Sequence, residues 1–337
     1  MKINDLDKLT DEALLEMRFC DLPISLEHSM VVPYVEVFTM ELELKGIRFR
    51  PAVYLADEWL CPEGVPAIGI PFYLCHSRLR ALERQMMLEV EGESQEEFLK
   101  LMRHEMGHAI SYAYKFQNKP KWRKLFGQPS KEFSDYYKFK KYSRNYVSNI
   151  EEGYAQSHPD EDFAESFAVW MNPKINWRVR YKNWRVINKL EYVDTLMRKV
   201  KDREPLVESQ TRYFNVKRLK SKLITHYKKR KKMYAQESPE FFDKELLVLF
   251  SRDVSPPPNK AYRYLQKNRK ELISIVQKWT GQHKYVIDHL VRRLTRRSKE
   301  MGLYCRSEET ETKLMCIGCL TALVKNHFYT GLFKRDL

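Results

Sequence analysis

The run His104-Glu105-Met106-Gly107-His108 falls inside a stretch whose apolar residues recur at 98, 101, 102, 106, 109, 110 and 113. That spacing predicts a helix from Glu96 to about Tyr114 with one continuous apolar face. Residues four apart on a helix lie one turn above each other, with about 5 to 6 Å between Cβ atoms, so both imidazoles can reach one divalent ion at roughly 2.0 to 2.1 Å. Glu105 then stands beside the ion's open position, where it can take a proton from water and later release it. At this chain's His and Glu frequencies chance supplies about 0.02 such matches. An unpaired imidazole on a buried helix is costly, which argues against a histidine pair without a ligand.

Two histidines do not complete a catalytic zinc site, so a third ligand is required. The helix predicted over Pro159–Met171 has Pro159 in its first turn and Asn172-Pro173 as its stop. It presents Glu161 and Glu165 on one face, alongside Ala164 and Ala168. Like charges at this spacing destabilise a plain helix by a few tenths of a kcal/mol, and carboxylates beside alanines are costly to bury unless a cation answers them. Zn²⁺ with its histidines is such a cation. The expected assignment is Glu161 as third ligand and Glu165 as the acceptor for a ligand imidazole N–H. Gly107 and Ala164 would let the two helices come close.

H-E-x-x-H on one helix followed by Glu on a later one resembles the gluzincin group of zinc metallopeptidases. The stretch from Tyr154 to Glu165 is similar to a bacterial family of zinc-binding metallopeptidases and, more distantly, to the anthrax lethal factor catalytic domain. The resemblance covers about residues 15 to 200, most strongly at the two helix motifs and from Asp57-Glu58-Trp59 to Leu74. It implies a zincin-like fold, peptide hydrolysis with Glu105 as general base, and the same metal set of His104, His108 and Glu161, supported by Glu165. It also implies that Tyr154, seven residues before Glu161, supports the transition state. His158 is either a helix cap or a substrate contact. The apolar run Ala67–Leu74 is either an ordinary strand or, with Pro71 confining it to an edge, the strand along which a peptide substrate pairs.

The rest of the chain reads as α+β followed by all-α. Helices are expected over Asp11–Met17, Leu26–Leu44 and Trp177–Lys201, and strands over Ile47–Arg50, Val53–Ala56 and Ala67–Leu74. Residues 115 to 150 read as a largely irregular insertion. A polar break at 202–210 divides a zincin-like metallopeptidase domain (1–204), with a small N-terminal sheet and active-site helices, from a basic helical domain (205–337) interrupted by Pro256-Pro257-Pro258. The formal charge of +15 lies wholly in the second part: residues 1–210 sum to −2 and 211–337 to +17. A nucleic acid or an acidic surface is therefore a candidate partner of that part, beside a protein or peptide substrate. The alternative function is nucleic-acid binding through the basic domain, with the zinc domain structural or acting on nucleic-acid-bound proteins. Cys316 and Cys319 have metal-ligand spacing, with Cys305 and His327 nearby, but with Leu314, Leu320, Leu323 and Val324 around them they fit a core helix better. No apolar stretch approaches the roughly 18 residues of a membrane span. Acids near the N-terminus argue against a signal peptide, so a cytoplasmic location is expected.

Overall fold

The structure is a computed structural model and describes residues 3–132, 140, 142–150, 153–209, 211–233, 242–252, 259–306 and 308–330. The described chain up to Met86 and from Val90 to His226 forms one compact unit; Met87–Glu89 and the chain from Tyr227 form another.

In the first unit, α1 (Asp11–Glu16) is capped by Thr10, whose hydroxyl accepts from the Ala13 N–H. α2 begins only at Val32 and runs to Leu44, because Pro33 belongs in a first turn rather than a helix interior. It ends on Gly46, held at φ 67°, where the Ile47 N–H reaches back to the Leu42 carbonyl. β1 (Ala52–Ala56) and β2 (Ala67–Pro71) pair in parallel; Ile47–Arg50 forms no strand. α3 (Ser77–Met87) follows, and then α4 (Gln95–Ala113), started by a capping box in which Ser94 and Glu97 exchange side-chain and backbone bonds. α5 (Pro120–Phe126) lies in the expected insertion. α6 runs from Pro159 to Met171. The single helix expected over 177–201 is two, α7 (Trp177–Arg180) and α8 (Ile187–Val200). Asn183 between them takes φ 68°, a left-handed conformation that a continuous helix does not allow.

α4 and α6 form the centre of this unit. α4 packs along α6 and is covered by α2 and β2, while α5 and α8 cover α6. Every residue of α4 from Leu101 to Ala113 is buried. A Cβ built at Gly107 would stand 2.7 Å from the Ala164 Cα, so the helix backbones touch there. Arg103, one residue before the first histidine, forks onto both carboxylate oxygens of Glu41 (2.7 and 2.5 Å), tying α4 to α2 with a buried pair. The unit continues past the polar break to His226 because residues 219–223 return to the N-terminal segment: Phe19 N–H donates to Ser221 O, Cys20 N–H to Leu219 O and Leu223 N–H to Met17 O.

The reading of Ala67–Leu74 as a docking edge is corrected. β2 is buried throughout, and on the side away from β1 Gly69 exchanges both backbone bonds with Leu60 (2.8 and 3.3 Å). Of its neighbours facing the same way, the Ala67 N–H goes to Val65 O and Pro71 has none. An extended peptide therefore finds no free donor on that edge.

α9 (Leu223–Met233) spans the boundary between the units. The second unit contains α10 (Asp243–Leu249), β3 (Phe250–Ser251), α11 (Ala261–Thr280), α12 (Lys284–Glu300), β4 (Tyr304–Cys305) and α13 (Glu309–Thr330). The antiparallel β3–β4 pair is its departure from all-helical. Its core joins Leu272, Val276, Leu290, Leu294, Leu320 and Leu323 with Cys305, Cys316 and Cys319. These cysteines are small buried hydrophobes, and among the described residues they form no group that could hold a metal. Pro256–Pro258 lies outside the described residues, as does the side chain of His327. No described helix is long and apolar enough to cross a membrane.

Candidate metal centre

α4 and α6 bring three donor atoms together. His104 Nε2 and His108 Nε2 are 3.1 Å apart, and Glu161 Oε2 lies 3.0 Å from the first and 3.3 Å from the second. Donors placed tetrahedrally at about 2.0 to 2.1 Å from a zinc ion are separated by about 3.3 to 3.4 Å, so the triangle has the size such an ion needs. Glu161 Oε2 is buried and has no hydrogen-bond partner among the described residues. Three electron-rich atoms, one of them an orphaned carboxylate oxygen, are unfavourable together unless a cation lies among them. The residues present therefore fit a divalent ion, and the triangle accounts for three of four coordination places.

His104 is aimed by its other nitrogen. Its Nδ1 lies 3.0 Å from Glu165 Oε1, inside a fully buried pocket. With Nδ1–H donating to that carboxylate, the Nε2 lone pair is left facing the triangle. Glu165 is fixed in turn by the backbone N–H groups of Asn149 and Ile150 (both 3.0 Å) and by the Asn149 side-chain amide (3.1 Å). His108 is held by its ring, which stacks on Tyr112 at 6.1 Å and 21° between planes. The Tyr112 hydroxyl donates weakly to Asp160 (3.4 Å). Neither Asn149–Ile150 nor Tyr112 with Asp160 could be found from sequence, since backbone donors and a lone tyrosine carry no motif.

Glu105 is 8% exposed and stands outside the donor triangle. Burial pushes its carboxyl above the usual range; His104 and His108 pull it back, and Glu161 and Glu91 add to the rise. Burial would also raise Glu161, but His108 and His104 outweigh it and hold that carboxyl well below the usual range. For His104 burial opposes the charge, while Glu161 and Glu165 more than restore it. The negative charge of Glu161 and Glu165 is what a dication bound here would meet.

Tyr154 lies in the 3-10 turn Tyr154–Gln156, its ring 5.6 Å from that of His104. His158 is the cap of α6: its Nδ1 accepts from the Asp160 N–H at 3.1 Å, and its Nε2 meets the Lys131 carbonyl at 2.7 Å. Both ring nitrogens are thereby used within the fold.

Residues 78–179 match the model of a family described as "Putative zinc-binding metallo-peptidase". The match spans α4 and α6 with everything between them. No curated protein and no solved structure matches the chain. Zinc is the cofactor, on the family's description and on the His-His-Glu group that can hold it.

Proposed function

We propose that this chain is a gluzincin-type zinc metalloendopeptidase in which His104, His108 and Glu161 hold the ion. The observation that carries the reading is the donor triangle of 3.0 to 3.3 Å with a separate buried carboxylate, Glu105, on the same helix as two of its corners. Bound zinc supplies Lewis acidity toward a carbonyl oxygen and lowers the pKa of water to about 7. Glu105 takes the proton released as water attacks the peptide carbon and passes it to the departing amine nitrogen. Its burial-raised basicity suits that work near neutral pH. The Tyr154 phenol donates to the oxyanion, a contribution whose loss costs about 10²- to 10³-fold in rate. Glu165 keeps His104 in one tautomer and one orientation. Protein purified without chelator is expected to carry about one zinc per chain and to cleave a mixed peptide pool, and Glu161→Ala to lose both metal and cleavage. Folded wild-type chain that stays zinc-free and inactive after zinc is added would overturn the reading.

A second reading attaches to the basic unit. Two basic runs far apart in sequence converge there: Lys231 of α9 lies 5.8 Å from the Tyr285 ring of α12, and burial together with Arg292 lowers its pKa. His289 Nδ1 is buried with no hydrogen-bond partner among the described residues. Burial and then Arg293, with Arg292 and Arg296, depress its pKa against Asp288. Concentrated positive charge beside tyrosines favours nucleic-acid phosphates and bases. Retention of the full chain on single-stranded nucleic acid at about 50 mM salt, lost by about 200 mM, is expected; no retention at the lower salt removes this reading.

A further inference from the structure

A cavity of about 220 Å³ is lined by Tyr142, Tyr146, Tyr181 and Trp184 and by the cations Lys140 and Arg180. We propose that it is the recognition pocket for the peptide substrate, taking an aromatic side chain that carries or adjoins a negative charge. The inference rests on the peptidase reading and names its substrate class.

Size limits the occupant first. An apolar cavity of about 150 Å³ takes a benzene ring, so this one takes a single aryl group with a substituent. The walls are suited to a ring, since aromatic pairs gain from edge and offset contacts beyond their area. Tyr181 and Trp184 already meet edge to face at 5.4 Å. Tyr142 is 90% exposed and takes φ 56°, a conformation that bulky side chains rarely adopt. A large ring held in water by a strained backbone has no folding benefit, and strain of this kind gathers at ligand clamps.

Charge limits it next. The protein's own cations already lie over these rings: Arg180 is 5.6 Å from the Tyr181 centroid, Arg144 5.9 Å from Trp184 and Lys189 4.0 Å from Tyr146. Lys189 is answered by Asp162. Among the described residues no carboxylate lines the cavity. Lys140 and Arg180 on its wall would repel a cationic guest and attract an anionic one.

Position ties the pocket to the reaction. Gly153 and Gln156 form part of its wall, and between them Tyr154 faces His104. Gln156 clamps the Lys140 backbone through both ends of its amide, at 3.0 Å each. The wall-forming segment continues to Asn149 and Ile150, which hold Glu165. The pocket wall thus belongs to the same chain segment as Tyr154 and as the residues that hold Glu165.

The test measures binding of fluorescent octapeptides to full-length zinc-loaded Glu105→Gln protein, which holds substrate without cutting it. The peptides carry Phe-Glu, phosphotyrosine, Phe-Lys or Leu-Glu at the centre, and adenosine monophosphate is the competitor. The two anionic aryl peptides should bind at least tenfold tighter than the other two, and the stronger of them identifies whether the charge belongs to the ring or to its neighbour. Tyr142→Ala and Arg180→Glu, both at exposed positions, should each erase most of that preference while zinc content stays at the wild-type level. Equal binding of all four, or preference for Phe-Lys, would overturn the pocket. So would displacement by the nucleotide with no peptide preference. Zinc content and cleavage of a mixed peptide pool by wild type report separately on the peptidase reading.

Discussion

Glu105→Gln is expected to leave zinc bound and to slow peptide hydrolysis by about 10²- to 10⁴-fold, the usual worth of a positioned general base. The replacement is nearly isosteric, so the α4 packing around it, where every residue from Leu101 to Ala113 is buried, is preserved. Glu105 supplies none of the three clustered donor atoms, so the metal keeps its ligands. Thermal stability should hold or rise, because the change removes one of several buried negative charges; Glu161 and Glu91 both oppose the ionised form of Glu105. A neutral amide is also less costly to bury than a carboxylate. What the amide cannot do is take a proton from water. Metal content by atomic emission and cleavage of a peptide pool by mass spectrometry, read on the same preparation, separate the two effects. A variant as active as wild type would remove Glu105 from the chemistry, and one without zinc would show that it holds the site together.

How far the fold could be read ahead followed the range of the interactions involved. α6 spans the residues that Pro159 and Asn172-Pro173 mark out, and α4 (Gln95–Ala113) lies within a residue of the periodic stretch from Glu96 to about Tyr114, because helix stops and helical periodicity are local. The meeting of these helices was also legible, through Gly107 opposite Ala164 and through Glu161 and Glu165, two carboxylates beside alanines that both reach His104 across the helix pair. Features set by distant segments were not legible. Leu60 closes the outer edge of β2, and residues 219–223 pair with the N-terminal segment across some two hundred positions of sequence. The backbone donors that fix Glu165 come from a loop with no periodic pattern. The cysteines of the second unit carried ligand spacing, yet i,i+3 is equally the spacing of neighbours on a core helix.

Gly107→Val is expected to abolish stable zinc binding, and Gly107→Ala to weaken it while changing stability much less. A Cβ at 107 would meet Ala164 at its Cα (2.7 Å), carbonyl oxygen (3.1 Å) and Cβ (3.2 Å). The first two are backbone atoms, so no rotamer change relieves the clash and the helices must part. α6 cannot retreat freely, since α5 and α8 pack behind it. Overpacking of this kind costs about 1 to 3 kcal/mol, whereas Ala gains about 0.8 to 1.0 kcal/mol over Gly in a helix. The alanine variant should therefore lose about 0 to 2 kcal/mol. Valine adds two methyl groups and forfeits most of the propensity gain, so its loss should exceed about 3 kcal/mol. Any separation of α4 from α6 moves Glu161 away from both imidazoles, and a donor triangle of 3.0 to 3.3 Å tolerates little spreading. Affinity for zinc, measured by chelator competition, should fall about 10- to 100-fold for the alanine variant, as when the support of a metal ligand is lost. Gly318→Ala on α13 is the control, because a Cβ there meets nothing within 4 Å; it should raise stability by about 1 kcal/mol and leave zinc untouched. If Gly107→Ala behaved like that control in both measurements, the close approach of α4 and α6 would not be what holds the three donors together.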